Sequence, residues 1–298
     1  MIVLNQGKEL VRVESWDDIV GRPGFNGNLN PAEHVLSGII GQYAFADRIR
    51  CGLSDCHRPH GRGYLVVTKS GVETNIGKDC GKNYFGVDFE TMATQFDRDM
   101  RDKQARERLW DFTFKLDELK QRIKALRTGE RGADWVYKNS RPLVESGKGV
   151  PGVVIRRIAD LLRTGDSVLT TEREPTEREI DLARVQGSRP PRVIVEKVAD
   201  IRGLEALQSQ NDLRQIMVVD LEEGIKEFEP LDVDTMKSTE LSRWSKWVGR
   251  IEQKLDSAAA AISSGQALLA PANLQPFAIL IPNFEAPETF RAYLKTLA

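Results

Sequence analysis

Apolar positions along this chain follow two patterns, one short and clustered near the N-terminus, the other long and periodic. Ile2-Val3-Leu4 and Leu10-Val11-Arg12-Val13 read as two short strands. Gly21 to Pro31 (GRPGFNGNLNP) is rich in residues that interrupt regular structure and reads as a loop. Pro31 suits the first turn of a helix capped by Asn30, and His34, Val35, Leu36, Ile39 and Ile40 continue at helical spacing. A helix is therefore predicted to run to about Phe45 and to cover the segment that follows it. Further on, YLVVT (64–68) and VETNI (72–76) flank Lys69-Ser70-Gly71, the pattern of a hairpin with glycine in its turn.

From about Phe89 the pattern lengthens. Ala105, Leu109, Phe112, Leu116, Leu119, Ile123 and Leu126 alternate four- and three-residue steps, a heptad seam on one helix ending at RTGERG (127–132). A second seam of equal length runs through Leu241, Trp244, Val248, Ile251, Leu255, Ala258 and Ile262. The two are expected to pack together in one helical bundle, or each to pair with its copy in a homodimer.

Between the seams, short helices are expected at Trp135–Val144, Val153–Leu162, Glu177–Val185 and Val193–Leu207, with SGKGVPG (146–152) as a loop. Thr176 with Glu179 is a capping box that opens the third of these. Asp212–Phe228 reads as a helix, with Ile216-Met217-Val218-Val219 as a buried strand in the alternative. At the end, Phe277–Ile281 between prolines reads as a strand, with a place in the N-terminal sheet, and Pro287–Leu297 as a helix.

At 298 residues the chain can bury a substantial core in two or three structural units. Its 43 basic and 44 acidic residues leave a formal charge of −1, so no global field draws it to DNA or to anionic lipid, and any nucleic-acid surface must be a local patch. Apolar runs are far short of a membrane span and the N-terminus lacks the pattern of a secretory signal, so a cytoplasmic protein without membrane contact is expected. Three cysteines, an odd number clustered with histidines, fit metal binding in a reducing compartment better than a disulfide framework.

The chemistry concentrates in CGLSDCHRPHGRGYLVVTKSGVETNIGKDCGKNYFG (51–86), which holds all three cysteines and two of the three histidines. Thiolate and imidazole are the usual ligands of structural zinc, and Cys51, Cys56, His60 and Cys80 make a tetrahedral set, with His57 as the alternative fourth ligand. His34 lies outside the cluster. Catalytic zinc would need an open position and a poised carboxylate, and the H-x-E and P-C-x-x-C signature of nucleobase deaminases is missing, so the ion is expected to be structural.

The order of paired cysteines, hairpin and cysteine at a helix start resembles a treble-clef zinc module over about residues 45–90. That family usually takes two ligands three residues apart from its helix, and here the second place is Asn83. The resemblance therefore implies a fourth ligand from elsewhere. His60, free to fold back after Pro59, is favoured over His57, which adjoins Cys56.

Around this stretch Arg48, Arg50, Arg58, Arg62, Lys69, Lys78 and Lys82 outnumber Asp55, Glu73 and Asp79, with Tyr64, Tyr84 and Phe85 interleaved. Cations with aromatics suit phosphate contact and base stacking, although the three rings equally suit the small core of a zinc module. Trp244 on its seam is expected to be core, and Trp247, near Arg243, Lys246, Arg250 and Lys254, exposed. The whole reads as a helix-dominated α+β fold: a zinc-binding module (1–90), a heptad helix (91–130), a helical middle (131–232), and a second heptad helix with a terminal strand and helix (233–298). A non-enzymatic, zinc-stabilised binder of nucleic acid is expected. The alternatives are a protein-interaction or adaptor factor, of phage or mobile-element type, using its long helices, and an enzyme whose acids line a cleft.

Overall fold

The computed structural model describes residues 1–7, 9–282 and 287–298, and is α+β with helix dominant. It divides into two compact units, Met1–Asp111 with Asp232–Ser245, and Phe112–Leu231 with Lys246–Ala298.

In the first unit, β1 (Ile2–Gln6), β2 (Glu9–Val13), β3 (Leu36–Arg50), β4 (Pro59–Thr68) and β5 (Glu73–Ile76) form one antiparallel sheet in the order β2-β1-β3-β4-β5. The expected strands and hairpin are present, with Gly71 at φ +82° in the turn, a conformation costly for any residue with a Cβ. Alternation sends side chains to two cores. Val3, Tyr64 and Val66 face the long helix α2 (Lys78–Thr113), while Ile2, Leu4 and Leu65 face the short helix α1 (Trp16–Val20) and Trp16. Gly86, at φ +60° and ψ −142°, interrupts α2 after its second turn, so Cys80 sits on a short leading segment.

The helix expected over Pro31–Phe45 is not formed. Asn30 caps only a turn, accepting from the Ala32 amide at 3.1 Å, and the chain then extends through β3. Gly38 and Gly41 disfavour a helix, and Ile39, Ile40, Tyr43 and Phe45 favour a strand. Gly41 is also required sterically, since a Cβ there would lie 2.7 Å from the Leu4 side chain and 2.9 Å from the Val3 carbonyl.

The heptad seams mark buried faces but not continuous helices. The first is cut by a turn at 114–115, between α2 and α3 (Leu116–Thr128). The second is cut at 249–250, between α8 (Ser238–Val248) and α9 (Ile251–Leu268). Within the first unit α8 lies on α2, where Arg108 donates to the Ser245 hydroxyl at 3.1 Å. Within the second, Arg122 on α3 grips Glu252 on α9 through two bonds of 2.8 and 2.7 Å.

The second unit also holds α4 (Ala133–Ser140), α5 (Gly152–Thr164), β6 (Val168–Arg173), α6 (Glu177–Val185) and β7 (Ile194–Asp200). The capping box at Thr176 is formed as expected. The helix expected over Val193–Leu207 is instead β7, paired antiparallel with β6, followed by a 3₁₀ turn at Leu204–Leu207. Ile194, Val195 and Val198 carry β-branched side chains that pack better on a pleated ladder. Asp212–Phe228 is helical, not a strand: wide π-type turns over Gln215–Glu222 run into α7 (Glu223–Phe228). Phe277–Ile281 is not a strand, and within the described residues the N-terminal sheet has only its five. Pro276 lies in the first turn of a 3₁₀ stretch, Gln275–Leu280, that buries Phe277 after α10 (Pro271–Leu274), and α11 (Pro287–Thr296) is the last helix among the described residues. Trp244 is core as expected. Trp247 is not an exposed contact: its ring packs on Phe112 and Phe228, and its Nε1 donates to the Asp220 carbonyl at 2.9 Å. No helix among the described residues is long and apolar enough to cross a membrane.

Candidate metal centre

Cys51 follows the last residue of β3, Cys56 ends the turn before β4, and Cys80 lies in the first turn of α2. The β3–β4 ladder closes the turn at Arg50 opposite Pro59, and the amides of Cys51 and Cys56 bond to the carbonyls of Arg58 and Leu53, each at 3.1 Å. The three Sγ atoms lie within 4.8 Å of one another, with Cys56 and Cys80 at 3.2 Å. That separation is far longer than the roughly 2.05 Å of a disulfide. Gly52 lets the turn rest on β5: a Cβ there would come within 2.2 Å of Thr74 Oγ1 and 2.8 Å of Asn75 Oδ1. Gly81 does the same for the helix, whose first turn lies against the Phe89 ring.

Electrostatics set the three sulfurs apart. Burial raises the Cys51 thiol above its ordinary value, although the amides of Leu53 and Gly77 donate to its sulfur and favour the thiolate. Burial and the neighbouring Cys56 push Cys80 up to about 12. At Cys56 burial acts in the same direction, but the Arg58 amide and bonds from Cys80 and Cys51 outweigh it and hold the thiol low. Backbone amides aimed at two sulfurs are the donors a thiolate needs, while three packed thiolates, two of them buried, cannot persist without a compensating cation. The three sulfurs could therefore hold a thiophilic metal ion.

Neither histidine belongs to the sulfur triad. His60 sits on β4 opposite Ile49, its Nδ1 3.1 Å from the Tyr43 hydroxyl and its ring stacked on Tyr43. Its Nε2 is buried without a hydrogen-bond partner among the described residues, and burial lowers its pKa, which favours the neutral, ligand-competent ring. The ring also covers Gly77, the residue whose amide donates to Cys51. His57 has a left-handed backbone (φ +49°) and places Nδ1 3.2 Å from the Cys51 carbonyl. His34 meets Ser70 Oγ at 3.4 Å. Of the nearby acids, Glu73 is engaged by Arg22 at 2.6 and 2.9 Å, and Asp55 receives the Ser54 hydroxyl. Asn83 is exposed, so the second helix position supplies no cysteine or histidine.

Tyr43 and Asn75 support the site without having been singled out by sequence. Asn75 is buried and donates from Nδ2 to the Arg50 carbonyl at 2.8 Å and to the Tyr43 hydroxyl at 3.4 Å. A polar residue inside an otherwise apolar strand run, as in TNI (74–76), is the signal that could have found it.

Arg48, Arg50, Arg58, Arg62, Lys69, Lys78 and Lys82 are all exposed. Lys82 pairs with Glu90 at 2.9 Å, whereas Arg48, Arg50, Arg58, Arg62 and Lys78 have no carboxylate partner among the described residues. Elsewhere some cations are paired, as at Arg127 with Asp134 and Arg173 with Glu179. Tyr64 is core, edge-on to Phe89 and Phe96, and Phe85 packs half-buried against the same cluster. Tyr84 is the more exposed ring, and its hydroxyl ties α2 to the cysteine turn by donating to the Asp55 carbonyl at 2.9 Å. No protein-family model matches the chain, and neither the curated proteins nor the solved structures contain a match to it.

Proposed function

We propose that this protein is a non-enzymatic, zinc-stabilised binder of nucleic acid. Cys51, Cys56 and Cys80 hold a structural zinc ion, with His60 as fourth ligand through its uncommitted Nε2. The ion fixes the β3–β4 turn to α2 and so holds an exposed basic surface in shape. The observation that carries the nucleic-acid reading is that five exposed cations near the cysteine cluster, Arg48, Arg50, Arg58, Arg62 and Lys78, have no carboxylate partner among the described residues, in a chain whose formal charge is only −1. Unpaired cations retain their full attraction for phosphate.

Fluorescence anisotropy with labelled single- and double-stranded oligonucleotides at two salt concentrations tests it. Affinity that falls with salt, and weakens when Arg48, Arg50 and Arg58 are changed together to glutamine, supports the reading. Affinity indifferent to both, or purification with a stoichiometric protein partner and no nucleic acid, overturns it.

A further inference from the structure

We propose that the cleft between the N-terminal sheet and α2 binds a phosphorylated nucleoside, either a free mononucleotide or the phosphorylated end of a strand. The cleft has a volume of about 660 Å³, within the ordinary range for small-molecule sites. It rests on the nucleic-acid reading for its class of ligand, because two of its cations, Arg62 and Lys78, belong to the same basic surface.

The sheet and the helix contribute in register. On β3 and β4, Gln42 pairs with Tyr64 and Ala44 with Arg62, and Val3 of β1 pairs with Gln42, so these side chains share the face toward α2. On α2, Asp97, Met100, Arg101 and Gln104 recur at helical spacing and line the opposite wall. Lys78 closes the rim from the start of the helix.

Three kinds of group converge. Among the described residues, Arg62 and Lys78 have no carboxylate partner, and Arg101 commits only its Nε, to the Asp97 carbonyl at 3.0 Å. Together they form a cationic rim suited to a phosphate monoester. Asp97 lines the same cleft and forms no ion pair among the described residues. Among the described residues its two oxygens receive only the Tyr64 hydroxyl, at 3.1 and 2.9 Å, leaving lone pairs for N–H donors. Val3 and Met100 line the base of the cleft, where the apolar core comes to its edge. An anionic group, N–H donors and a flat apolar body belong together in a nucleotide. Inorganic phosphate or a simple carboxylate would use the cations and offer Asp97 no N–H donor.

Isothermal titration calorimetry on the zinc-loaded protein tests this with inorganic phosphate, the four nucleoside 5′-monophosphates, and a short oligonucleotide with and without a 5′-phosphate. A mononucleotide or a 5′-phosphorylated oligonucleotide should bind more tightly than inorganic phosphate. Arg62→Gln with Lys78→Gln, both exposed and neutral to folding, should weaken that binding by about tenfold or more. Asp97→Asn should weaken nucleotide but not phosphate binding. Preference for the free nucleotide identifies a small-molecule site, and preference for the phosphorylated oligonucleotide a strand-end site. Absence of both up to about 1 mM, or binding unchanged in the double variant, overturns the proposal. Strand binding that needs Arg48, Arg50 and Arg58 but ignores the 5′-phosphate and the double variant leaves the surface reading standing and removes the cleft. Mononucleotide binding without strand binding does the reverse.

Discussion

The hydroxyl of Tyr43 lies 3.1 Å from Nδ1 of His60, with the two rings stacked at a centroid distance of 5.8 Å. One nitrogen of the imidazole is thereby occupied, and the other, buried and unpartnered, is left over. Histidines that ligate metals commonly have their second nitrogen held in this way, and loss of the holding group typically costs about 10–100-fold in metal affinity. Tyr43→Phe should therefore weaken zinc binding by that order, and His60→Ala by more, while His57→Ala leaves it nearly unchanged. Competition against a chromophoric chelator measures all three. No effect at His60 would show that it is a bystander, and a loss at His57 as large as at His60 would overturn the choice between them.

Removing the ion should act on one unit. Cys51 and Cys80 belong to the core that also contains Leu53, Val66, Ile76 and Phe89, so an uncompensated thiol cluster disturbs the packing of β3, β4, β5 and the start of α2. The second unit has its own buried residues, among them Ile158, Leu221, Leu255 and Phe277. Cys80→Ser, or chelation of the wild type, should open the first unit to limited proteolysis while most of the helical circular dichroism survives. A chelated protein with an unchanged melting profile and protease pattern would remove the structural role of the metal.

Gly52→Ala is predicted to destabilise the first unit by about 1–3 kcal/mol, the usual range for overpacking a tight site. The added Cβ would meet Thr74 Oγ1 at 2.2 Å. Thr74 cannot move aside freely, because it is buried and its hydroxyl lies 2.7 Å from the Asn26 carbonyl and 3.2 Å from that of Gly52. Denaturant unfolding of the zinc-loaded variant measures the loss, and zinc affinity should fall with it, since Gly52 adjoins Cys51.

Signals confined to a few residues were legible in the sequence: the hairpin around Gly71, the capping box of Thr176 and Glu179, and the grouping of the three cysteines. The errors arise where non-local pairing decided the outcome. In β3, bulges between Leu36 and Gly38 and between Ile39 and Gly41 disturb strict alternation. Its apolar residues at 36, 39, 40 and 43 therefore fall at helical spacing although the segment is a strand. The heptad seams identified buried positions such as Leu119 and Leu255, but a two-residue turn between helices preserves the register of a seam and hides the break. Tyr43 and Asn75 escaped notice because their partners lie 17 to 32 residues away and meet only once the sheet has formed.

The N-terminus of α6 should be sensitive to acid. Glu179 receives Arg173 at 2.8 and 2.9 Å and the Thr176 amide and hydroxyl at 2.8 Å, and these bonds, Arg173 first, hold its pKa at about 2. Its unfolded value is about 4.3. A carboxylate whose folded pKa is depressed contributes stability that is complete above the unfolded value. That contribution declines as pH falls from about 4.3 toward about 2, where the folded group also takes up its proton. Glu196, the second partner of Arg173, is bound to the guanidinium Nε at 3.1 Å and keeps the β6–β7 pairing in place when Glu179 is protonated. The expected result is fraying of the α6 cap with the hairpin retained, read by amide exchange at Glu179 and Ile180 between pH 5 and pH 2. Glu179→Gln should show that exchange already at neutral pH and lose the dependence below it. A wild-type profile that is flat across this range would mean that solvent screens the Arg173 pair so fully that the cap gains nothing from its charge.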